Sequence, residues 1–306
     1  MVMNPALRFL FWCGVATLSL AALGCEGATK TASTPAERPV QEVTDAGGPR
    51  VVAIGDLHGD LDATLAALKL AGAIDDEARW VGGALVVVQI GDQLSRGDDE
   101  PEILALLDRL SVEARTSGGA VIALNGNHEL LNAAGDFRYA TPEGLTDFGG
   151  AEGRRQAFAP GSANAKRFAD RPLFENRGGT VFVHAGIFPE HLELGLDVME
   201  RELDAWLRGE SAAPPVLLTD SDSPVWTRRL GKTPSEADCE AVKTVLGRLG
   251  ARRMVIGHTP QPHINAACGD LVWRVDVGLS QHYGGPIEVL AIDGDVLTTL
   301  SAPRPK

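Results

Sequence analysis

Five short apolar runs in this chain each end abruptly in glycine and polar residues, and that repetition narrows the possible folds sharply. The run Val51–Ile54 leads into Gly55, Asp56, Leu57, His58 and Gly59. Residues 85–90 lead into Gly91 and Asp92, with Arg96 and Gly97 close behind. Residues 120–124 lead into Asn125, Gly126, Asn127, His128 and Glu129. Residues 181–183 lead into His184, Ala185 and Gly186, and residues 254–256 into Gly257, His258, Thr259 and Pro260. Runs this short, almost wholly apolar and rich in β-branched side chains, read as strands buried on both faces. Two more runs, residues 271–277 and 287–292, add strands near the end. Helical periodicity covers Leu61–Leu70 and residues 101–114, 191–207 and 235–249. Strands alternating with helices make an α/β sheet protein, and such sheets collect their ligands beyond the carboxyl ends of the strands.

The polar tips carry the residue types of a divalent metal pair. Carboxylate, imidazole and amide oxygen suit Mn, Fe or Zn, whereas a structural zinc site would be rich in thiolate. Asp56 and His58, one residue apart on a chain leaving a strand, can grip one ion together. Asp92 has two oxygens and can bridge two ions, with Asn127, His184 and His258 completing the second. Two ions about 3.5–4 Å apart can hold a phosphate, activate a water and stabilise both oxygens of an in-line displacement. A single His or Asp at a strand end is ordinarily a cap; six in the same relation to five strands point to one site. His191, His263 and His282 lack such a setting and read as surface residues.

Composition sets the surroundings. The chain has 306 residues, 44% of them hydrophobic, and a formal charge of −13. That acidity disfavours a nucleic-acid partner. Arg8 precedes an apolar run that is too short for a confident membrane span and ends in Ala22, Leu23, Gly24 and Cys25. Small residues before a cysteine fit a lipoprotein-type signal peptide over residues 1–24, with a lipid on Cys25 holding the protein to a membrane surface. Glu26, rather than an aspartate, favours outer-membrane sorting, so the expected location is the bacterial cell envelope, lipid-anchored. Residues 25–48, rich in Thr, Ala, Pro and Glu without apolar periodicity, read as a flexible tether. The catalytic domain is expected over residues 49–303. Cys239 and Cys268 remain as an even pair, either a disulfide in an oxidising compartment or two buried thiols.

The ordered strings GDLHG, GDQLSRG, GNHE, HAG and GHTP resemble the phosphoprotein phosphatase family of calcineurin-like metallophosphoesterases. QIGDQLSRGDDE, LNGNHE, the FAPG–FVHAG stretch and GHTPQ followed by INAAC are similar to its Shewanella-like protein phosphatase branch, which has bacterial and plant members, some preferring phosphotyrosine. The resemblance implies a calcineurin-like fold of two packed mixed β-sheets flanked by helices, with a dinuclear metal site at strand C-terminal ends. It implies two divalent ions, Mn favoured, one on Asp56, His58 and Asp92 and the other on Asp92, Asn127, His184 and His258. It also implies that Arg96 and Asn127 face the phosphate, and that His128 protonates the leaving oxygen. A second phosphate-binding arginine is expected after a tryptophan; Trp226-Thr227-Arg228-Arg229 fits, and Arg228 is preferred over Arg229. The implied substrate is a phosphorylated protein, with a small phosphate ester or nucleotide such as a diadenosine polyphosphate as the alternative. One departure stands out: Ser95 occupies the place of an aspartate that in the family pairs with the catalytic histidine. Asp98 and Asp99 are the nearby candidates to replace it.

Overall fold

A computed structural model of the chain describes residues 48–305. The signal segment, Cys25 and nearly all of the tether lie outside the described residues. In chain order the strands are β1 (Val51–Ile54), β2 (Val86–Gln89), β3 (Ala120–Ala123), β4 (Phe174–Arg177), β5 (Thr180–Val183), β6 (Arg253–Ile256), β7 (Asn265–Ala267), β8 (Val272–Arg274), β9 (Ile287–Asp293) and β10 (Val296–Ala302). They form two five-stranded mixed sheets, β10-β9-β1-β2-β3 and β4-β5-β6-β8-β7. In the first sheet β1, β2 and β3 are parallel and β9 and β10 antiparallel. In the second, β5, β6 and β8 are parallel.

The alternation of side chains along β5 and β6 fixes how the sheets pack. Phe182 and Val255 join the apolar core of the first sheet, while Val181, Val183, Met254 and Ile256 face a second core built with the flanking helices. That is the period-2 alternation of a pleated strand buried on both sides. Fully burying one such side chain is worth about 1.5–3 kcal/mol, so a polar residue in place of any of these six is strongly disfavoured. The parallel strands that lie next to one another are therefore aligned with their carboxyl ends at one edge, β1, β2 and β3 in one sheet and β5 and β6 in the other.

Three strands escape the sequence reading, and all three are sheet edges: β4, β7 and β10. An edge strand buries little of itself, as the largely exposed β10 shows, and so lacks the apolar signature. The expected helix over residues 191–207 is two helices, Pro189–Leu194 and Leu196–Leu207, divided by Gly195 at φ 90°. Between β3 and β4 the chain folds into four short helices, Asn127–Ala133, Pro142–Thr146, Gly150–Phe158 and Ala163–Ala169.

Candidate dinuclear metal centre

The tips of β1 and β2 are stitched together by backbone: the N–H groups of Leu57 and His58 both donate to the Asp92 carbonyl, at 3.0 and 2.9 Å. The second sheet reaches across through the β6 tip, where the His258 N–H lies 3.1 Å from Asp56 Oδ2. The helix Asn127–Ala133 starts directly beyond β3, and the His128 N–H donates to Asp92 Oδ1 at 2.9 Å. Asp92 thus stands at the centre. Its Oδ2 lies 3.4 Å from His184 Nε2 and 3.8 Å from both His58 Nε2 and His128 Nε2. Asp56 Oδ2 is 3.9 Å from His58 Nε2, and Asn127 Oδ1 is 3.0 Å from His184 Nε2. All six expected donors are therefore brought together and buried. Two sets have ligand atoms close enough for one ion each: Asp92, His184 and His258, and His58, Asp92 and His128. The second set includes His128, which was expected as an acid rather than a donor.

The backbone at these tips is held in costly conformations. Of the eight non-glycine residues with positive φ among the described residues, His58, Asp92, Ser95, Arg96 and His258 are here. Such conformations cost of order 1 kcal/mol or more each and cluster at functional sites. Glycine makes room beside the carboxylates: a Cβ on Gly126 would fall 2.2 Å from Asp92 Oδ1, and one on Gly257 2.4 Å from Asp56 Oδ1. An alanine at either place would displace a donor.

Electrostatics show whether the donor set suits a cation. Burial pushes Asp56 well up, aided by the charge of Asp276. Burial likewise pushes His58 down to about 3 and His258 well below its ordinary value. Burial also opposes a charged His184, yet Asp92 and Asp56 outweigh it and raise this imidazole to about 10. The cluster thus demands positive charge at its middle, and a divalent ion meets that demand. The tautomers agree. His184 Nδ1 faces the Ile90 carbonyl at 2.9 Å and His58 Nδ1 the Leu94 carbonyl at 3.1 Å, so both rings donate there and turn Nε2 toward the cluster, the atom a cation would take in place of a proton. His258 is the reverse: its Nε2 faces the Trp226 carbonyl at 3.0 Å, which leaves Nδ1.

Around the donors lie the residues expected to handle substrate. Arg96 Nη1 is 3.3 Å from His58 Nε2, and its guanidinium lies between the rings of Tyr139 and Tyr283, 5.1 and 5.0 Å from their centroids. Arg228 and Arg229 part company. Arg228 is exposed, held by the His258 carbonyl at 3.0 Å and Thr259 Oγ1 at 3.1 Å. Arg229 is tied to Asp238 at 2.8 Å and Glu190 at 2.7 Å and lies over Phe188. Its donors are spent on structure, which leaves Arg228 as the one beside the cluster.

Ser95 does not replace the missing carboxylate. Its Oγ accepts from Asn132 Nδ2 at 3.3 Å, and His128 Nδ1 is buried with no hydrogen-bond partner. Burial pushes His128 down to about 4. Asp98 and Asp99 do not take over: Asp98 accepts from Thr141 Oγ1, and Asp99 from the Leu61 N–H. The carboxylate that does reach Ser95 is Glu100, which accepts from the Ser95 N–H and forms a fully buried pair with Arg154. Arg154 Nε also donates to Asn132 Oδ1 at 2.8 Å.

Several residues at the centre carried no role in the sequence reading. Glu129 accepts from the N–H groups of Asp92 at 2.8 Å, Gln93 at 2.9 Å and Gly126 at 2.8 Å, and so shapes both tips that frame Asp92. Its position, two after Asn127, was visible, but no local pattern announces a carboxylate that serves the backbone. Asp276 is buried beside Asp56, held up at about 6 by burial. Tyr139 comes from the helical segment, where nothing in sequence fixes its direction. His191 corrects the surface reading: it is buried, taking the Phe188 N–H on Nδ1 and facing the Asp222 carbonyl with Nε2. His263 and His282 are largely solvent-facing. Cys239 and Cys268 are joined in a disulfide, with Cα atoms 5.1 Å apart.

Known proteins resemble the chain in sequence and fold. The family model for calcineurin-like phosphoesterases matches residues 49–262. Shewanella-like protein phosphatase 2 of Arabidopsis thaliana is 36% identical over 299 residues, covering 80% of this chain and 75% of that protein. Shewanella-like protein phosphatase 1 of Plasmodium berghei is 28% identical over 253 residues, 78% of this chain and 69% of that one. Among solved structures, the cold-active protein-tyrosine phosphatase of a psychrophilic Shewanella species superposes with a TM-score of 0.70 at 26% identity, over 86% of this chain and 83% of that one.

Proposed function

Since the chain belongs to the calcineurin-like phosphoesterase family, and within it to the Shewanella-like protein phosphatases, it is a metal-dependent phosphatase, and we propose that it removes phosphate from protein side chains at the centre around Asp92. In this reading Asp56, His58 and Asp92 hold one divalent ion and Asp92, Asn127, His184 and His258 the other. Such ions supply an activated water and neutralise charge developing on the phosphoryl oxygens. The chain's own groups do the rest. Arg96 presents a planar fork to two phosphate oxygens, kept in place by the flanking rings of Tyr139 and Tyr283. Arg228 takes the phosphate from the other side, and Glu129 holds the loops that aim Asp92. His128 gives its proton to the leaving oxygen. The observation that carries this reading is the convergence of five strand tips from two sheets on one buried carboxylate.

The favoured ion is manganese, and the favoured setting is the cell envelope, with an acyl chain on Cys25. The donor chemistry admits manganese alongside iron and zinc and the family resemblance favours it, while the sequence around Cys25 supports the second. The test is a panel of phosphotyrosine peptide, phosphoserine peptide and nucleotides against Mn, Fe and Zn, on protein stripped of metal. Turnover of a phosphopeptide restored best by manganese is expected; turnover of nucleotides alone would replace the protein substrate with the small-ester alternative. Mass spectrometry of the mature N-terminus decides the anchor, since an unmodified Cys25 in a soluble protein would refute it.

A further inference from the structure

Arg96 is steadied by rings: its guanidinium carbon lies 5.1 Å from the centroid of Tyr139 and 5.0 Å from that of Tyr283, and among the described residues no carboxylate forms an ion pair with it. The two rings are supported differently. Tyr139 is bound to Arg96 by backbone, since the Arg96 N–H donates to the Tyr139 carbonyl at 2.9 Å. Tyr283 stands on a separate loop, residues 278–285, between β8 and β9, and its place depends on what holds that loop. The loop is closed at its neck, where the Gly285 N–H donates to the Gly278 carbonyl at 2.9 Å. A side chain has no room there: a Cβ on Gly285 would fall 1.8 Å from the Val277 carbonyl oxygen. Within the loop, the N–H groups of Tyr283 and Gly284 donate to the Ser280 carbonyl at 3.1 and 2.9 Å. These bonds shape the loop, and two side chains from outside fasten it. Asp60, the N-cap of the helix Leu61–Leu70, accepts from the Gln281 N–H at 2.6 Å. Arg304 Nη2 donates to the Leu279 carbonyl at 2.6 Å and the Gly285 carbonyl at 2.5 Å, with the Ser280 carbonyl at 3.4 Å. Its Nη1 lies 3.7 Å from Asp60 Oδ2, which joins the two anchors. Strand register brings Arg304 to this spot. In the β9–β10 ladder Ala302 lies opposite Ile287, so two residues further on residue 304 falls opposite the glycine that closes the loop.

We propose that Arg304 is a positioning residue for the phosphate site: by clamping the 278–285 loop it keeps Tyr283 against Arg96, and so holds that guanidinium ready for the phosphoryl oxygens. The proposal rests on the reading of the centre as a phosphatase in which Arg96 grips the phosphate. An arginine suits the task, because its rigid fork serves several acceptors from one place. The contact between Arg96 and Tyr283 is a cation–π attraction, which acts only while the ring stays within about 6 Å of the charge. A loop that drifts takes the ring away and gives Arg96 back its rotamer freedom. That freedom must then be surrendered each time phosphate binds. The loss falls on substrate and transition state alike, so KM rises and kcat holds. Inorganic phosphate, which meets the same guanidinium, should weaken by the same factor. An arginine that merely stabilises the fold would leave both constants where they are.

The test uses the metal-loaded enzyme, with an aryl phosphate as substrate and inorganic phosphate as inhibitor. Arg304→Leu should raise KM and the phosphate inhibition constant together, by about threefold to tenfold, with kcat and metal content unchanged. Arg304→Lys, which keeps the charge and some of the donors, should recover part of the loss. Tyr283→Leu should raise both constants to the same extent, and the double variant Tyr283→Leu/Arg304→Leu no further, because the two changes remove one contact. Amide hydrogen exchange should quicken across residues 278–285 in Arg304→Leu while β1 and β2 keep their protection. If Arg304→Leu does not fold, Arg304→Lys takes its place in the same cycle, with the same pattern at a smaller factor. Constants that stay at the wild-type value would overturn the proposal. So would effects of the two substitutions that multiply in full, a fall in kcat at constant KM, or a loss of metal. An active wild type indifferent to Arg304 sinks this proposal alone. A wild type that neither hydrolyses the aryl phosphate nor responds to phosphate sinks the phosphatase reading with it.

Discussion

The strand tips and the helical segment that covers them are built by different means. At the tips, each donor is placed by its own strand: Asp56 and His58 by β1, Asp92 by β2, Asn127 by the turn after β3, His184 by β5 and His258 by β6. In the cover, Ser95, Glu100, Asn132 and Arg154 are held by one another across long stretches of chain, Glu100 and Arg154 being 54 residues apart. Donor position is thus a local property of a strand end, whereas the support around His128 is a property of packing. Substitutions in the two regions should fail in different ways, chemistry at the tips and stability in the cover.

The largest effect is expected at the tips. Asp92→Asn removes the charge around which three imidazoles gather, and activity should fall about a thousandfold or more, because several kcal/mol of charge stabilisation goes with the metals. Its melting temperature in the metal-free form should change little by comparison, which calorimetry can check. The cover should behave in the opposite sense. Arg154→Leu leaves Glu100 buried and unpaired, a loss of about 3–5 kcal/mol, readable by urea denaturation, while residual native protein keeps its metal content. An Arg154→Leu protein that folds normally yet loses metal would erase the distinction between the regions.

A third place serves as a control. The Cys239–Cys268 disulfide ties the helix Glu236–Leu249 to the β7–β8 hairpin, away from both regions. Cys239→Ser should cost about 2–4 kcal/mol of stability and leave kcat unchanged in the folded fraction. Both thiols in wild type should resist alkylation in denaturant until a reductant is added.

The smallest expected effect sharpens the boundary between regions. Ser95 belongs to the cover by its contacts but is linked to His128 through Asn132, whose Nδ2 donates to Ser95 Oγ and to the His128 carbonyl. A carboxylate there would favour the imidazolium and raise the His128 value from about 4. The sign follows: a raised value keeps His128 protonated to higher pH, so Ser95→Asp should gain turnover and hold it further up the pH scale. Alkoxide leaving groups need the proton more than phenoxides, so the gain, about threefold to tenfold out of the range typical of general acids, should be larger on alkyl than on aryl phosphates. Equal or lower rates on both substrates, with metal content unchanged, would show that Ser95 is not the missing partner of His128.

How much of this was legible in the sequence follows the same division. The central strands announced themselves because burial on both faces demands unbroken apolar runs, and their tips announced the donors. The edge strands β4, β7 and β10 did not, since exposed faces admit polar residues such as those of Phe174–Arg177. Gly195 broke a helix whose periodicity runs on across it, a case where one residue's φ outweighs the pattern around it. Arg228 and Arg229 are neighbours with equal chemistry, and only the acidic partners Asp238 and Glu190, supplied from elsewhere, separate them. The buried carboxylate next to Ser95 turned out to be Glu100, not Asp98 or Asp99, because Arg154 arrives from the segment after β3, which no local signal could foretell.

The central claim is that the five strand tips make one two-ion centre on which catalysis depends. Elemental analysis of purified protein, paired with hydrolysis of an aryl phosphate before and after exhaustive chelation, tests it most directly. Up to two divalent ions per chain are expected, with activity lost on their removal and regained on adding manganese. Undiminished activity in excess chelator from protein that contains no metal would contradict the account.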